Sequence, residues 1–328
     1  MLISINEKKM KNLVSILLLC AVTLMMTACS EVEFGSAMYK KFNRPSEDGS
    51  KGVLKVGKPY TVMGKTYYPA ETYDYVETGI ASWYGPGFHA NKTASGERYD
   101  QNELTAAHRT LQMPSLVRVT NLDNGRSVVV RVNDRGPFAR GRIMDVSAKA
   151  AELLGMVRTG TARVKLELLA DESRALANAA RNGKSTKGVE VAFNQTGQLP
   201  GGYYVAPQGP VASDKQLSES DLVQTAQNDS VAGHYKGTTF YPNPVVQQSP
   251  VAATQIFVQA GAFGQIDNAK RLAQKLGTIA NSNVEPVQYA GKMLYKVRLG
   301  PLDSVRAADN VLSKVLANGQ SDAIIVVQ

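Results

Sequence analysis

The sequence predicts a mainly β protein with an added α+β module: a small β-barrel over residues 77–170, a long disordered linker over 171–253, and a βαββαβ sandwich over 254–328. Three observations predict it. Val117 and Val119, then Val128, Val130 and Val132, then Val164, Leu166 and Leu168 alternate with other residues at the period of two that half-buried strands require. Gln, Pro, Ser, Gly, Asn and Thr fill 39 of the 83 positions from 171 to 253, and Ile none, so too little apolar area is available to offset the entropy of ordering that segment. From Thr254 onward, strand-like runs alternate with runs of helical period.

Residues 1–28 read as a secretory signal, with Lys8, Lys9 and Lys11 ahead of an apolar run from Leu13 to Met26. Thr27-Ala28 lead into Cys29, and a small residue directly before a cysteine is the pattern of a bacterial lipoprotein processing site, with Met26 where Leu is usual. Acyl chains on Cys29 would anchor the protein to outer-membrane lipid, and Ser30 in place of Asp is compatible with that membrane. Residues 29–76 form a lipidated tether and an N-terminal extension, in which Tyr60, Tyr67, Tyr68, Tyr73 and Tyr75 among turn residues suit short strands lying on the first core.

Within the barrel, Asp123-Asn124-Gly125 is a hairpin signal. Asp145-Val146-Ser147 can cap a short helix carrying Ala150, Leu153 and Leu154, which Gly155 ends. The linker admits a short helix at Glu172 to Arg181 and a docking patch at Gly201-Gly202-Tyr203-Tyr204. In the last module, strand Ile256 to Phe263 precedes a helix from an Asp267 cap to Gly277. Strands Val284 to Ala290 and Leu294 to Leu299 follow, then a helix from Asp303 or Ser304 to Gly319 and a strand at Ala323 to Gln328. Two helices then cover one face of a four-stranded sheet and leave the other free to bind.

The 328 residues carry 37 Lys plus Arg against 28 Asp plus Glu, a balance of +9 that removal of the signal, with Lys8, Lys9, Lys11 and Glu7, lowers to +7. Such a charge suits nucleic acid, anionic lipid or an acidic polymer. Export rules out nucleic acid and leaves polymers of the cell envelope. Cys20 leaves with the signal, so Cys29 has no intramolecular disulfide partner. His89, His108 and His234 are the only histidines and no ligand spacing links them, so neither a metal site nor a cofactor is expected.

Four blocks stand out in the barrel region: Ala81-Ser82-Trp83-Tyr84-Gly85 with Phe88 to Asp100, Leu104 to His108, Val130-Arg131-Val132-Asn133-Asp134-Arg135-Gly136-Pro137-Phe138, and Arg142-Ile143-Met144-Asp145-Val146-Ser147. In this order they resemble the rare lipoprotein A family, septal-ring lytic transglycosylases built on a double-psi β-barrel related to expansins. Phe257 to Phe263, with Tyr295-Lys296-Val297-Arg298-Leu299-Gly300-Pro301, is similar to the SPOR domain.

Cleaving a glycan needs an acid for the leaving glycosidic oxygen and a group to stabilise the oxocarbenium-like centre. Asp134, at a strand end before Gly136-Pro137, is the best acid candidate, and the family places its catalytic aspartate in this block. An acid working near neutral pH needs burial or a neighbouring carboxylate. Glu97, which matches the family's second functional acid, could supply it, and the resemblance adds His108 as a catalytic or positioning residue.

Trp83 and Tyr84 offer flat faces for sugar rings, Thr93 a hydroxyl for sugar hydrogen bonds, His89 a side chain lining the loop, and Asp145 a supporting residue near the groove. On the free sheet face of the last module, Gln259, Tyr295 and Arg298 are expected to contact glycan strands.

The resemblance implies a lytic transglycosylase that leaves 1,6-anhydro ends on peptidoglycan strands, prefers strands free of stem peptides, and works at the division septum beside division proteins. A wall-binding septal protein without catalysis is the alternative. The two are told apart by whether Asp134 and Glu97 line one groove.

Overall fold

The computed structural model describes residues 53–85, 87, 89–203, 233–236, 239–242 and 245–328. The expected signal, Cys29 and most of the tether lie outside the described residues.

The N-terminal extension is a hairpin of β1 (Tyr60–Val62) and β2 (Lys65–Tyr67). Aromatic contact fastens it to the barrel, since the Tyr60 and Tyr67 rings both meet Phe138 at about 6 Å. The Tyr60 hydroxyl also donates to the Arg109 carbonyl at 2.8 Å.

The barrel consists of β3 (Val76–Trp83), β4 (Thr105–His108), β5 (Ser115–Asn121), β6 (Arg126–Asp134), β7 (Arg142–Val146) and β8 (Thr161–Leu168). They lie in the order β6-β4-β7-β3-β8-β5, and pairing of β5 with β6 closes the ring, so each of the six is paired on both sides. The pairs β3–β7 and β4–β6 are parallel and the others antiparallel.

Alternation selects the interior: Val117 faces Val130 and Val119 faces Val128 across the β5–β6 hairpin, all buried with Ala106, Met144, Val146 and Leu166. Each large apolar side chain so buried contributes about 1.5–3 kcal/mol. The hairpin turns where the sequence places it, with Gly125 at φ 76° and its amide on Asn121.

Helix α1 (Ala148–Leu154) begins at Ser147, whose hydroxyl accepts the Ala150 amide, and ends at Gly155 in the left-handed region. Asp145 is not its cap; it belongs to β7.

The linker expected from residue 171 begins folded, with the helix expected at Glu172 to Arg181 and a second one beyond it. Helices α2 (Ala170–Arg181) and α3 (Val189–Thr196) lie on the outside of the barrel, where Leu176, Val189 and Phe193 pack against Leu116 and Val129. The averaged composition of 171–253 hides these few apolar residues. Tyr203, from the expected docking patch, packs on the same cluster. Further along, β9 (Gly233–Lys236) and β10 (Thr239–Pro242) pair as a hairpin, and β11 (Gln247–Gln248) adds to β6.

The C-terminal module has the expected order: β12 (Ile256–Phe263), α4 (Ile266–Leu276), β13 (Ser282–Tyr289), β14 (Lys292–Leu302), α5 (Val305–Ala317) and β15 (Ile324–Val327). Its antiparallel sheet runs β13-β14-β12-β15. Ser304 caps α5, whereas α4 starts after Gln265 and holds Asp267 in its first turn. The module meets the barrel through a bidentate Arg142–Asp309 pair at 2.8 and 2.7 Å and through the Thr78 hydroxyl on the Val327 carbonyl.

Candidate active site

Strand register assembles a row of side chains on the outside of the barrel. Ser82 of β3 pairs with Asp145 of β7, Asp145 with Ala107 of β4, and Ala107 with Asp134 of β6. Register partners share a face, so two carboxyls flank one methyl group. Their Cα atoms lie two strand spacings apart, about 9–10 Å. A bulge sets this up, because the β4–β6 register steps from Ala106–Val132 to Ala107–Asp134 and leaves Asn133 as the extra residue. Gly136, at φ 138°, then turns the chain away beside Ala107.

Asp134, half-buried at the strand end, accepts three hydrogen bonds: from the Ala94 amide at 2.7 Å, the Arg135 amide at 2.8 Å and the Tyr84 hydroxyl at 3.0 Å. Burial, then the charge of Asp134, push the Tyr84 hydroxyl far above its ordinary range, so it stays a donor. Asp145 accepts the Ser82 hydroxyl. Burial first, and the Asp134 carboxylate in addition, raise Asp145 above the usual aspartate value against the pull of Ser82 and Arg142. The carboxylate that neighbours Asp134 electrostatically is therefore Asp145.

Glu97 is only 7% exposed. Both its oxygens accept from Arg131 Nη1, at 2.7 and 2.9 Å, and Oε2 also accepts from Asn133 at 2.8 Å. Glu97 is thus held by the barrel wall and lines a small cavity with Ser95, Pro114 and Asn133. Asp134 and Glu97 are linked through the 93–97 loop, in which the Glu97 carbonyl accepts the Thr93 amide and the Ala94 amide bonds Asp134.

His108 is in register with Met144 and faces the interior, opposite to its neighbour Ala107. Its Nδ1 accepts the amides of Thr110 and Leu111 at 3.2 and 3.1 Å, and Nε2 meets the Tyr75 hydroxyl at 3.0 Å. Burial outweighs Glu77 and lowers its pKa, keeping the ring neutral. Structurally it fixes the turn after β4. Close to this end, a cavity of about 380 Å³ is lined by Glu77, Arg109, Phe138 and Arg142.

Trp83 packs half-buried against the barrel core. Tyr84 sits over the row, its ring 4.7 Å from that of Tyr99. Thr93 is buried and bonds its own loop, donating to the Glu97 carbonyl at 3.0 Å. His89 lies exposed at the rim, 3.8 Å from Asp100. Of the expected set, Asp134, Tyr84 and Asp145 come together, while Glu97, His108 and Thr93 are buried and Trp83 packs half-buried on the core.

In the C-terminal module, Gln259 and Arg298 are register partners on the face away from the helices. Arg298 is only 6% exposed and is held by Glu285 and, at 2.7 Å, by Gln328, so it braces this face from within. Tyr295 shares the face of the buried Val297 and packs on the helix side. It is not on the face with the other two, because alternation puts an odd number of steps between residues 295 and 298.

Ser82, Ala107 and the buried Glu190 were not singled out from sequence as site residues. Alternation in Ala81-Ser82-Trp83 and Ala106-Ala107-His108 carries the outward direction of the first two, but their register does not appear in the chain.

A closed six-stranded mixed barrel followed by a βαββαβ module is the architecture of a two-domain double-psi barrel protein. Residues 76–166 match the family described as lytic transglycolase, and residues 252–326 match the SPOR domain. The endolytic peptidoglycan transglycosylase RlpA of Pseudomonas aeruginosa is 40% identical over 264 residues, covering 75% of this chain and 69% of that protein. The protein of the same description from Campylobacter jejuni is 39% identical over 234 residues, covering 70% and 78%. A crystal structure of the RlpA SPOR domain from Pseudomonas aeruginosa is similar at 26% identity, over 22% of this chain and 96% of that one, with a TM-score of 0.21. The chain belongs to the RlpA family of endolytic peptidoglycan transglycosylases.

Proposed function

We propose that this protein cleaves the glycan strands of peptidoglycan as a lytic transglycosylase, with Asp134 and Asp145 as its working carboxyls. The row Ser82–Asp145–Ala107–Asp134 carries this reading. Asp145, whose burial favours the protonated form, gives its proton to the glycosidic oxygen as the bond from that oxygen to C1 breaks. Asp134, fixed by three donors, faces the positive charge that develops at C1. The sugar's own C6 hydroxyl then bonds to C1 and its proton returns to Asp145, which leaves a 1,6-anhydro end and consumes no water.

The names of the relatives support the reaction class. The C-terminal module binds glycan on the sheet face that carries Gln259, favours strands free of stem peptides, and concentrates the enzyme at the division septum. A lipid on Cys29 ties it to the outer membrane, where division proteins are its neighbours.

The test incubates the soluble chain, beside Asp134→Asn and Asp145→Asn, with intact and peptide-free strands and reads products by mass spectrometry. Anhydro-ended fragments from the unaltered chain alone support the reading. Binding without fragments from either substrate would replace it by a wall-binding, non-catalytic role.

A further inference from the structure

The barrel contains a fully buried guanidinium, Arg131, whose charge is balanced partly from outside the barrel. Its Nε donates at 2.9 Å to Glu190 of α3, a side chain with no solvent exposure, located beyond residue 166 where the lytic-enzyme match ends. Its Nη1 holds both oxygens of Glu97. Among the described residues, Arg131 Nη2 and Glu190 Oε1 have no hydrogen-bond partner, and Glu103 stands 3.9 Å from Nη2.

From Glu97 the contacts continue to the reacting end of β6. Its carbonyl accepts the Thr93 amide at 2.8 Å, the next amide, Ala94, is bonded to Asp134, and the Ser95 amide lies on the Asn133 carbonyl at 3.1 Å. Direct bonds therefore run from Glu190 through Arg131, Glu97 and the 93–97 loop to Asp134. A buried ion pair is weak evidence for stability, because desolvation of its charges cancels much of their attraction. Its geometric fixing is what a reacting centre can use.

We propose that Glu190 is a positioning residue for glycan cleavage, so that the catalytic unit extends through α3. Without its carboxylate the guanidinium has one fixed partner fewer and settles toward Glu103, which drags Glu97 and the loop that aims Asp134. This inference rests on the reading of Asp134 as a working carboxyl. Asn194, also on α3, makes a useful contrast: it bonds the amide and carbonyl of Val129, at 2.8 and 2.7 Å, and the Glu190 backbone carbonyl, at 2.6 Å, but touches no group of the charge chain.

The experiment compares the full chain with Glu190→Gln, Glu190→Asp, Asn194→Ala and Asp134→Asn for kcat and KM on purified glycan strands, with thermal unfolding of each. Glu190→Gln is expected to lower kcat about 10–100-fold with KM little changed, the size of effect that misplacement by about an ångström produces. Glu190→Asp should recover part of it, and Asn194→Ala should lose stability while keeping kcat within about threefold. A Glu190→Gln enzyme with unaltered kcat would sink the proposal, as would an equal loss of kcat in Asn194→Ala. Should Glu190→Gln fail to fold, Arg131→Lys, which keeps the charge and loses the fork, decides by the same kcat criterion. Full activity in Asp134→Asn would overturn this inference together with the site reading; an inactive Asp134→Asn beside an unaffected Glu190→Gln would overturn this inference alone.

Discussion

Asp134 and Asp145 stand on either side of Ala107, each in register with it across one strand spacing. The alanine keeps the space between them open. Two carboxyls in such a row can divide the work of a proton donor and a fixed anion, because their surroundings differ: Asp145 is held by one hydroxyl and Asp134 by three donors.

Replacing either carboxyl should remove the chemistry and keep the fold. Asp145→Asn and Asp134→Asn are each expected to lower kcat about 10²–10⁴-fold, the range that a positioned acid or base supplies. Circular dichroism and release of anhydro-ended fragments measured on the same preparations check this.

Ser82→Ala acts on the proton and not on the fold. The Ser82 hydroxyl pulls the Asp145 pKa down, so its loss lets burial raise that pKa further. An acid that holds its proton to higher pH moves the basic limb of kcat/KM upward, and a pH–rate profile of the variant against the unaltered enzyme reads the shift. An unmoved limb would take the proton away from Asp145.

His108→Ala should act through stability. It removes the acceptor of two backbone amides and the partner of Tyr75, at a cost of about 2–3 kcal/mol. Because the folded state lowers the His108 pKa, its contribution is complete above the ordinary histidine value of 6.5 and is lost as pH falls through the folded value. Chemical unfolding from pH 8 to pH 5 should therefore show less acid sensitivity in the variant.

Tyr295→Ala and Gln259→Ala should part company. Tyr295 packs on the helix side, so its truncation is expected to destabilise the module by about 1–3 kcal/mol. Gln259 lies on the opposite face, so its truncation should weaken co-sedimentation with glycan strands and leave the melting temperature within a degree or two.

The element order was largely legible in the sequence because period and punctuation are local. Val117 to Val132 with Asp123-Asn124-Gly125 marks its hairpin unaided, and Ser304 and Gly155 mark helix ends. Partners of side chains were less legible. Glu97 reads from its motif as a second acid, but its partner Arg131 appears only in the fold; Asp145 reads as part of a cap, but its partner Ser82 appears only in the strand register. Helix α3 was hidden because Val189 and Phe193 are apolar exceptions in a polar stretch and have meaning only against Leu116 and Val129.

The row at the barrel rim draws each of its members from a different strand, and Ser82 and Asp145 are 63 positions apart. Contacts of such separation form late, since the chain must give up loop entropy before they reward it. The β5–β6 hairpin can appear early on local contacts, yet it carries only one of the two carboxyls. If these are the working carboxyls, competence waits on the pairing of β3, β7, β4 and β6, and a nascent chain lacking any one of those pairings holds no complete cutting edge. Slow long-range pairing, ordinarily a liability in folding, here makes the unfinished protein harmless.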